Sequence, residues 1–180
     1  MGTHWTARRE GFRAPSPWVQ RWSATVPPRT AVLDLACGSG RHGRLFLERD
    51  HPVVFVDKDI TGVADLEGQA ELIEADLETG APWPLGTRTF GAVVVTCYLH
   101  RPILADIVAA VAPGGLLIYE TFARGNEVHG HPARPEYLLE EGELLEAVRG
   151  RLTVLAFEHG YSDEPKPGVR QRIAAQRPQL

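Results

Sequence analysis

The sequence is poor in cysteine and has no long apolar segment. Cys37 and Cys97 are the only cysteines among 180 residues, too few for the disulfide framework of a small secreted protein. No run reaches the roughly 18 apolar residues that a membrane helix needs, and the first dozen residues lack the apolar core of a signal peptide. We therefore expect a cytoplasmic protein with reduced thiols and no membrane partner.

An excess of positive charge is also missing. The chain carries 19 Lys and Arg against 23 Asp and Glu, a formal net charge of −4, which argues against binding nucleic acid through bulk electrostatics. With 43% hydrophobic and 23% charged residues, the composition is that of a globular protein. The length predicts one domain, 1–180, whose residues 1–28 form an N-terminal lid or helix segment. Monomer and homodimer both stay open.

Apolar runs alternate with helical patterns along the chain. Ser16-Pro17-Trp18 predicts the start of a helix, whose Trp18 and Trp22 share a face and either pack on the domain or cover a cofactor. Further helices are predicted at 42–49, 60–68, 102–111 and 141–149, a turn at 113–115, and strands at 31–35, 52–56, 70–74, 90–96, 116–121, 151–159 and 169–176. This alternation predicts a parallel α/β sheet, in which the last two strands, with no helix between them, pair antiparallel.

The stretch TAVLDLACGSGRHGRLF, residues 30–46, joins an apolar strand to a helix through glycines. Such a unit brings backbone N–H groups close to a nucleotide-like ligand. Gly38, Gly40 and Gly43 fit the dinucleotide pattern G-x-G-x-x-G. The carboxylate of Asp34, however, would repel a diphosphate and attract a ligand that carries an ammonium and a sulfonium. An ordinary strand–turn–helix with a solvated Asp34 is the remaining interpretation.

Four acids fall at or just after strand ends: Asp34, Asp57, Asp76 and Glu120. In an open α/β sheet the ligand sits at the carboxyl edge of the strands. Four acids converging there are unfavourable unless a cationic or hydroxyl-rich ligand satisfies them. Asp57 can accept hydrogen bonds from both hydroxyls of a ribose, a role shared with NAD sites, or it can cap the helix that follows.

The run D-L-A-C-G-S-G, residues 34–40, resembles motif I of the class I S-adenosylmethionine (SAM) dependent methyltransferases, and the likeness extends from about Trp18 to the end of the chain. It implies an α/β, Rossmann-like, seven-stranded mixed sheet of order 3-2-1-4-5-7-6, with the last strand antiparallel and helices on both faces. It also implies SAM as the cofactor. The implied cofactor contacts come from Asp34, Ala36, Cys37, Gly38, Ser39, Gly40, Asp57, Lys58, Asp76, Leu77, Thr96 and Cys97.

In the resembling family the acid at Asp57 binds the ribose. The acid at Asp76, within E-A-D-L, meets the adenine amine, unless Asp76 is a plain surface-loop acid. Thr96-Cys97-Tyr98-Leu99 matches the fourth motif, which flanks the methyl donor. It lacks the Asn/Asp-Pro-Pro-aromatic motif of the DNA adenine methyltransferases, so a nucleobase amine is disfavoured as acceptor. The string 120–139 resembles a small bacterial subgroup near the tellurite-resistance methyltransferases.

Candidates for catalysis follow the fourth and fifth strands. A hydroxyl or amine acceptor would need a proton acceptor, for which we consider Tyr98, His100 and Glu120. Arg101 is a candidate for substrate contact, although a polar loop that caps the next helix explains 98–101 equally well. Both cysteines are expected to be small buried side chains, and His129-Gly130-His131 is too sparse for a metal site. The remaining candidates to wall an acceptor pocket are Trp5, Trp18, Phe122 and the stretch 126–131.

These patterns support one main hypothesis, SAM-dependent methyl transfer to a small-molecule acceptor, in which the protein mainly holds two reactants in line. Two alternatives stay open. The glycine turn also suits an NAD(P)-binding oxidoreductase, although a second domain and a Ser-Tyr-x-x-x-Lys set are missing. Motif I does not separate an enzyme from a non-catalytic SAM-binding regulatory domain.

Overall fold

Seven strands form a single sheet in the computed structural model, which describes residues 14–164 and 166–179. The strand order is β3-β2-β1-β4-β5-β7-β6; β1 to β5 run parallel and β7 pairs antiparallel with both β5 and β6. The predicted sheet order is therefore confirmed, while the role expected for Trp5 lies outside the described residues. The strands are β1 (Val32–Leu35), β2 (Val53–Asp57), β3 (Glu71–Glu74), β4 (Phe90–Thr96), β5 (Val111–Phe122), β6 (Thr153–Ser162) and β7 (Gly168–Gln176).

Helices cover both faces of the sheet. Trp18 and Phe46, from the first two helices, belong to an apolar cluster on one face with Ile118 of β5. Ile107 and Leu144, from the last two, belong to the cluster on the other face. The α-helices are α1 (Pro17–Ser23), α2 (Arg41–Leu47), α3 (Leu104–Ala109) and α4 (Glu143–Val148), and 3-10 helices span Ile60–Leu66, Arg101–Ile103, Asn126–Val128 and Pro135–Tyr137. None of the helices in the described ranges has the length and apolar character to cross a membrane.

Helix α1 packs on the domain through its two tryptophans. Ser16 caps it, its hydroxyl oxygen accepting the Trp18 N–H at 3.1 Å, and Pro17 takes the first helical position, where no N–H is needed. The Trp18 ring is buried, donates through Nε1 to the Ile173 carbonyl at 3.2 Å and lies 5.9 Å from the Trp22 ring. The packing interpretation is confirmed, and a role as a lid stays a prediction.

Some expected boundaries were wrong. The third helix ends at Ala109, and β5 begins at Val111, so Pro113-Gly114-Gly115 lies inside a strand. These residues form an irregularity where the β4–β5 register shifts, with Gly114 at φ +74°. A Cβ on Gly115 would meet the Phe90 carbonyl at 2.8 Å, so the missing side chain permits the close approach. Strand β6 also runs past its expected end at His159 to Ser162, as an exposed sheet edge.

The register brings the candidate residues to one edge of the sheet. Leu35 of β1 is level with Val56 of β2 and Val95 of β4, and Thr96 is level with Glu120 of β5. The residues that follow these positions therefore emerge together at the carboxyl ends of the parallel strands, where open α/β sheets bind ligands.

Candidate functional site

Asp57 organises the glycine turn from the end of the neighbouring strand. Its carboxylate accepts the Gly38 N–H at 2.8 Å and the Asp59 N–H at 3.1 Å. A carboxylate has about four lone-pair sites, so both oxygens can still accept hydrogen bonds from a ligand. The alternative in which Asp57 caps the next helix is wrong, because Asp59 is the cap and accepts the Thr61 N–H at 3.0 Å.

The turn itself depends on left-handed backbone and close packing. Ala36, Gly38 and Gly40 have φ of +53°, +56° and +70°. Gly62 packs directly against the turn: a Cβ there would lie 2.5 Å from the Gly38 carbonyl oxygen and 3.1 Å from the Ser39 Cα. The 3-10 helix Ile60–Leu66 therefore supports the turn from below, and a side chain at Gly62 would displace it.

Asp34 lies beneath the turn and not on its open rim, which corrects the expectation that it faces the ligand. The side chain is 2% exposed, and one carboxyl oxygen accepts the Gly43 N–H from the first turn of α2 at 2.8 Å. Burial raises the pKa of this carboxyl to about 7, and the nearby charge of Asp57 raises it further. Asp34 thus holds α2 against the strand through this hydrogen bond.

A cavity of about 260 Å³ opens beyond β3, next to Asp76. Asp76 is exposed, and one of its carboxylate oxygens accepts the Glu78 N–H at 2.9 Å, which fixes its direction. Most of the wall is apolar, as suits a flat heterocycle with few polar groups. The lining residues are Ala75, Asp76, Leu77, Thr79, Ala81, Pro82, Trp83, Pro84 and Ile103.

Tyr98 lies on the same side of the edge as Asp57, Asp76 and Glu78. Its hydroxyl is buried and has no hydrogen-bond partner among the described residues. Burial raises the pKa of Tyr98 above its usual range, and the charges of Glu78, Asp76 and Asp57 add to the rise. Tyr98 therefore keeps its proton at neutral pH and is suited to donate a hydrogen bond, not to act as the proton acceptor that the sequence suggested.

A buried polar chain links α1, α2 and β4. The Ser16 N–H, which can only donate, points at His42 Nε2 at 3.1 Å. Nδ1 of His42 must therefore carry the ring proton, which it donates to Thr96 Oγ1 at 3.2 Å. Burial lowers the pKa of His42 to about 3, so the ring is neutral. Thr96, expected to contact the cofactor, is held at the end of β4 by this chain.

Two other candidates are engaged in structural contacts. Glu120 is 2% exposed; one oxygen accepts from the Ser16 hydroxyl at 2.9 Å and the other pairs with Arg172 Nε. This pairing favours a structural role for Glu120 over that of a free base. Arg101 forms two bonds to Glu143 at 2.7 and 2.9 Å and caps two carbonyls, so it fastens α4 and does not face a substrate. The half-buried His100 precedes this 3-10 helix without a side-chain capping bond.

Cys97 is exposed, contrary to expectation, whereas Cys37 is buried as expected. Cys97 directly follows β4 at φ +53° and donates its N–H to the Glu120 carbonyl at 2.9 Å. The protein atoms around it displace solvent and raise the pKa of its thiol, and the charges of Arg41, Arg170 and Lys166 oppose that rise. The charges of three cationic side chains therefore act on the Cys97 thiol.

The carboxyl edge thus has two halves of opposite charge. We call Asp57, Asp76 and Glu78, at and beyond the ends of β2 and β3, together with Asp34 beneath the turn, the acidic half. We call Arg41, Lys166 and Arg170, around Cys97 beyond β4, β5 and β7, the basic half. Sequence reasoning missed the basic half, although the alternation V-R-Q-R-I-A-A-Q in the last strand signals two arginines on one face of an otherwise buried strand.

Some predicted site residues lie away from both halves. Lys58 is exposed after Asp57, and the His129 ring packs 4.8 Å from the Tyr161 ring at the tip of β6. Within 14–164 and 166–179, no group of three or more His, Cys, Asp or Glu side chains is placed to hold a metal ion.

No protein-family model matches the sequence, and no curated protein matches it. Solved structures do. The Burkholderia thailandensis 1,6-didemethyltoxoflavin-N1-methyltransferase, solved with 1,6-didemethyltoxoflavin and S-adenosylhomocysteine, is 20% identical over 96% of this chain and 81% of its own, with a TM-score of 0.71. A TehB-like SAM-dependent methyltransferase from Corynebacterium glutamicum is 20% identical over 96% and 94%, with a TM-score of 0.66.

The chain has the class I SAM-dependent methyltransferase fold. The same fold also carries other chemistry, because the [4+2]-cyclase SpnF matches at 13% identity over 90% of this chain and 80% of its own, with a TM-score of 0.66. Fold alone therefore does not assign the reaction, which depends on what the two charged halves can bind.

Proposed function

We propose that the protein binds SAM in the acidic half and transfers its methyl group to a small-molecule acceptor. The observation that carries the proposal is the placement of Asp57, whose carboxylate is fixed by two backbone N–H groups of the turn and retains free lone pairs at the carboxyl edge. A ribose diol suits that carboxylate, the purine suits the cavity beside Asp76, and the cationic methionine end suits the acidic surroundings of the turn.

The sheet disfavours the dinucleotide alternative. Classic NAD-binding sheets have the order 3-2-1-4-5-6, whereas here the antiparallel β7 separates β5 from β6. A diphosphate would also meet the carboxylate of Asp57 at the very turn that should cradle it. The S-adenosylhomocysteine bound to the 1,6-didemethyltoxoflavin-N1-methyltransferase, which shares the fold, supports the same choice.

The transfer would need little from the protein beyond placement. The acceptor lone pair attacks the methyl carbon in line as the carbon–sulfur bond breaks, so holding both reactants in near-attack geometry supplies most of the acceleration. Tyr98 keeps its proton and Glu120 is paired with Arg172. The chemistry therefore suits an acceptor that is already deprotonated or soft, with His100 as the remaining candidate for a base.

Calorimetric titration tests the proposal. We expect S-adenosylhomocysteine to bind the wild type and NADH not to bind. Asp57→Asn should weaken the binding of S-adenosylhomocysteine by about 10- to 100-fold, because a charge-assisted hydrogen bond to the ligand is lost. Asp50→Asn is the matched control: it removes the same charge after α2, at a φ of +62° that Asn tolerates, and should leave affinity unchanged. Binding of NADH but not of S-adenosylhomocysteine would exclude the proposal.

A further inference from the structure

Arg170 is a buried cation whose hydrogen-bonding capacity is largely unused. It is 2% exposed, its guanidinium carbon lies 4.5 Å from the centre of the Phe122 ring, and Nη1 makes a single long contact of 3.5 Å to the Gly168 carbonyl. Nη2 is buried and has no hydrogen-bond partner anywhere in 14–164 and 166–179. A buried guanidinium in this state is unfavourable.

The other arginines nearby do not share this state. Arg172, two residues along the same strand, pairs with Glu120 and lies 3.5 Å from Glu158. Each carboxylate oxygen of Glu120 already has a partner, Ser16 for one and Arg172 for the other, and neither bonds to Arg170. No carboxylate among the described residues forms an ion pair with Arg170, which leaves its guanidinium available to a ligand.

The surroundings indicate what that ligand is. The charges of Arg170, Lys166 and Arg41 all act on the exposed thiol of Cys97, and β7 places Arg170 level with Phe122 at the carboxyl end of β5. A ligand there would lie next to Thr96 and Cys97, between the basic half and the acidic half. A group of cationic side chains in which Nη2 of Arg170 is an unsatisfied donor is suited to an oxyanion, because an oxyanion accepts charge-assisted hydrogen bonds.

We propose that the basic half binds an oxyanion group of the acceptor, with Nη2 of Arg170 as its hydrogen-bond donor and Lys166 as a supporting charge. This inference rests on the proposed function, because it names the acceptor class of the same site. The two halves then hold oppositely charged reactants, a cationic methyl donor and an anionic acceptor, on either side of the end of β4. The oxyanion is either a carboxylate of an organic acid or a simple inorganic oxyanion.

Titration of protein saturated with S-adenosylhomocysteine tests the site with defined probes: benzoate, inorganic phosphate and the neutral benzamide. We expect at least one oxyanion to bind the wild type, and Arg170→Met, which keeps the apolar contact with Phe122, to weaken it about tenfold or more. Arg170→Lys should retain part of the affinity. Arg151→Gln, which removes a charge from the opposite edge before β6, should change nothing. Benzoate alone indicates an organic acid, and phosphate indicates a simple oxyanion.

Either of two results would overturn the inference: neither oxyanion binds the wild type, or Arg170→Met binds it as tightly. Lys166→Gln provides a second test if Arg170→Met does not fold, because Lys166 is exposed; we expect about threefold weaker binding, and an unchanged affinity would contradict the proposal. The probes are also titrated without S-adenosylhomocysteine. If the protein bound an oxyanion probe but failed to bind S-adenosylhomocysteine, the proposed function would be refuted and the oxyanion site would not.

Discussion

The acidic and basic halves of the carboxyl edge satisfy their charges in different ways. In the acidic half, backbone N–H groups hold the carboxylates: Gly38 and Asp59 donate to Asp57, and Gly43 donates to Asp34. In the basic half, Arg170 is held by burial and by the Phe122 ring, with little hydrogen bonding. The acidic half is thus already preorganised by its own backbone, whereas in the basic half Nη2 of Arg170 has no hydrogen-bond partner among the described residues.

A neutral boundary separates the halves. The chain of Ser16, His42 and Thr96 carries no net charge, and the adjoining pair of Glu120 and Arg172 cancels its own. In the proposed reaction, a boundary of this kind would keep the cationic donor and the anionic acceptor in separate electrostatic fields until they meet at the end of β4. The residues of this boundary are connected by hydrogen bonds, so they position α1 and the end of β4 and take no part in the reaction.

The pH dependence of stability sharpens the comparison between the acidic half and this boundary. Asp34 has a folded-state pKa of about 7, above its unfolded value, so its contribution is present at low pH and lost as pH rises towards 7. His42 has a folded-state pKa of about 3, below its unfolded value, so its contribution is present above pH 6.5 and lost as pH falls. The two slopes oppose each other in the wild type.

Single variants should separate these slopes. Relative to the wild type, we expect Asp34→Asn to gain roughly 3–4 kcal/mol of unfolding free energy between pH 4.5 and 8, because the neutral amide cannot ionise. His42→Gln should show a relative gain of roughly 3 kcal/mol as the pH falls from 7 to 4.5. Urea unfolding at several pH values measures both. If the unfolding free energy of a variant changed with pH in parallel with that of the wild type, the substituted residue would not be buried as described.

Removing Arg172 tests whether the boundary is structural. Arg172→Met leaves the Glu120 carboxylate buried without its cation, and we expect a loss of about 3 kcal/mol in unfolding free energy. Arg88→Met is the matched control, because Arg88 pairs with Glu71 at 2.8 Å on the surface, with both side chains nearly half exposed; its loss should stay below about 1 kcal/mol. Equal losses of unfolding free energy in the two variants would mean that Glu120 is in contact with solvent, and Glu120 would again be a candidate base.

The fold and the acidic half were largely predictable because their signals are local. A β-branched strand that runs into glycines indicates the turn, and an acid at the end of the next strand indicates Asp57. Positions at the ends of these strands predict neighbours in space, because the register of a parallel sheet brings the ends of neighbouring strands together.

The basic half and the boundary were not predictable, because they join residues that are far apart in sequence. Ser16 meets Glu120 across 104 positions, and the charge of Arg170 acts on Cys97 from the last strand. The sequence also does not show whether an individual acidic side chain is buried. Asp34 was therefore expected on the rim and Glu120 as a free base, whereas packing placed one under α2 and the other in an ion pair.

Gly62→Ala tests whether the acidic half is preorganised by close backbone packing. The added Cβ would lie 2.5 Å from the Gly38 carbonyl, so the turn must shift, and we expect S-adenosylhomocysteine affinity to fall about tenfold, or about 1.4 kcal/mol. Ala64→Gly alters the same 3-10 helix at an exposed position and should leave the affinity unchanged. An unaltered affinity in Gly62→Ala would show that the position of the turn does not govern cofactor binding.

Tyr98→Phe should produce the smallest effect and tests which half Tyr98 serves. The hydroxyl is buried without a partner in the described chain, so its removal should leave the free protein as stable as before or more stable by up to about 1 kcal/mol. If the hydroxyl donates to the cofactor, S-adenosylhomocysteine affinity should fall by about 1 kcal/mol, roughly fivefold. Oxyanion binding should not change, because Arg170 and Lys166 are intact. A loss of oxyanion binding with cofactor binding unchanged would move Tyr98 to the basic half and shift the division between donor and acceptor to the other side of β4.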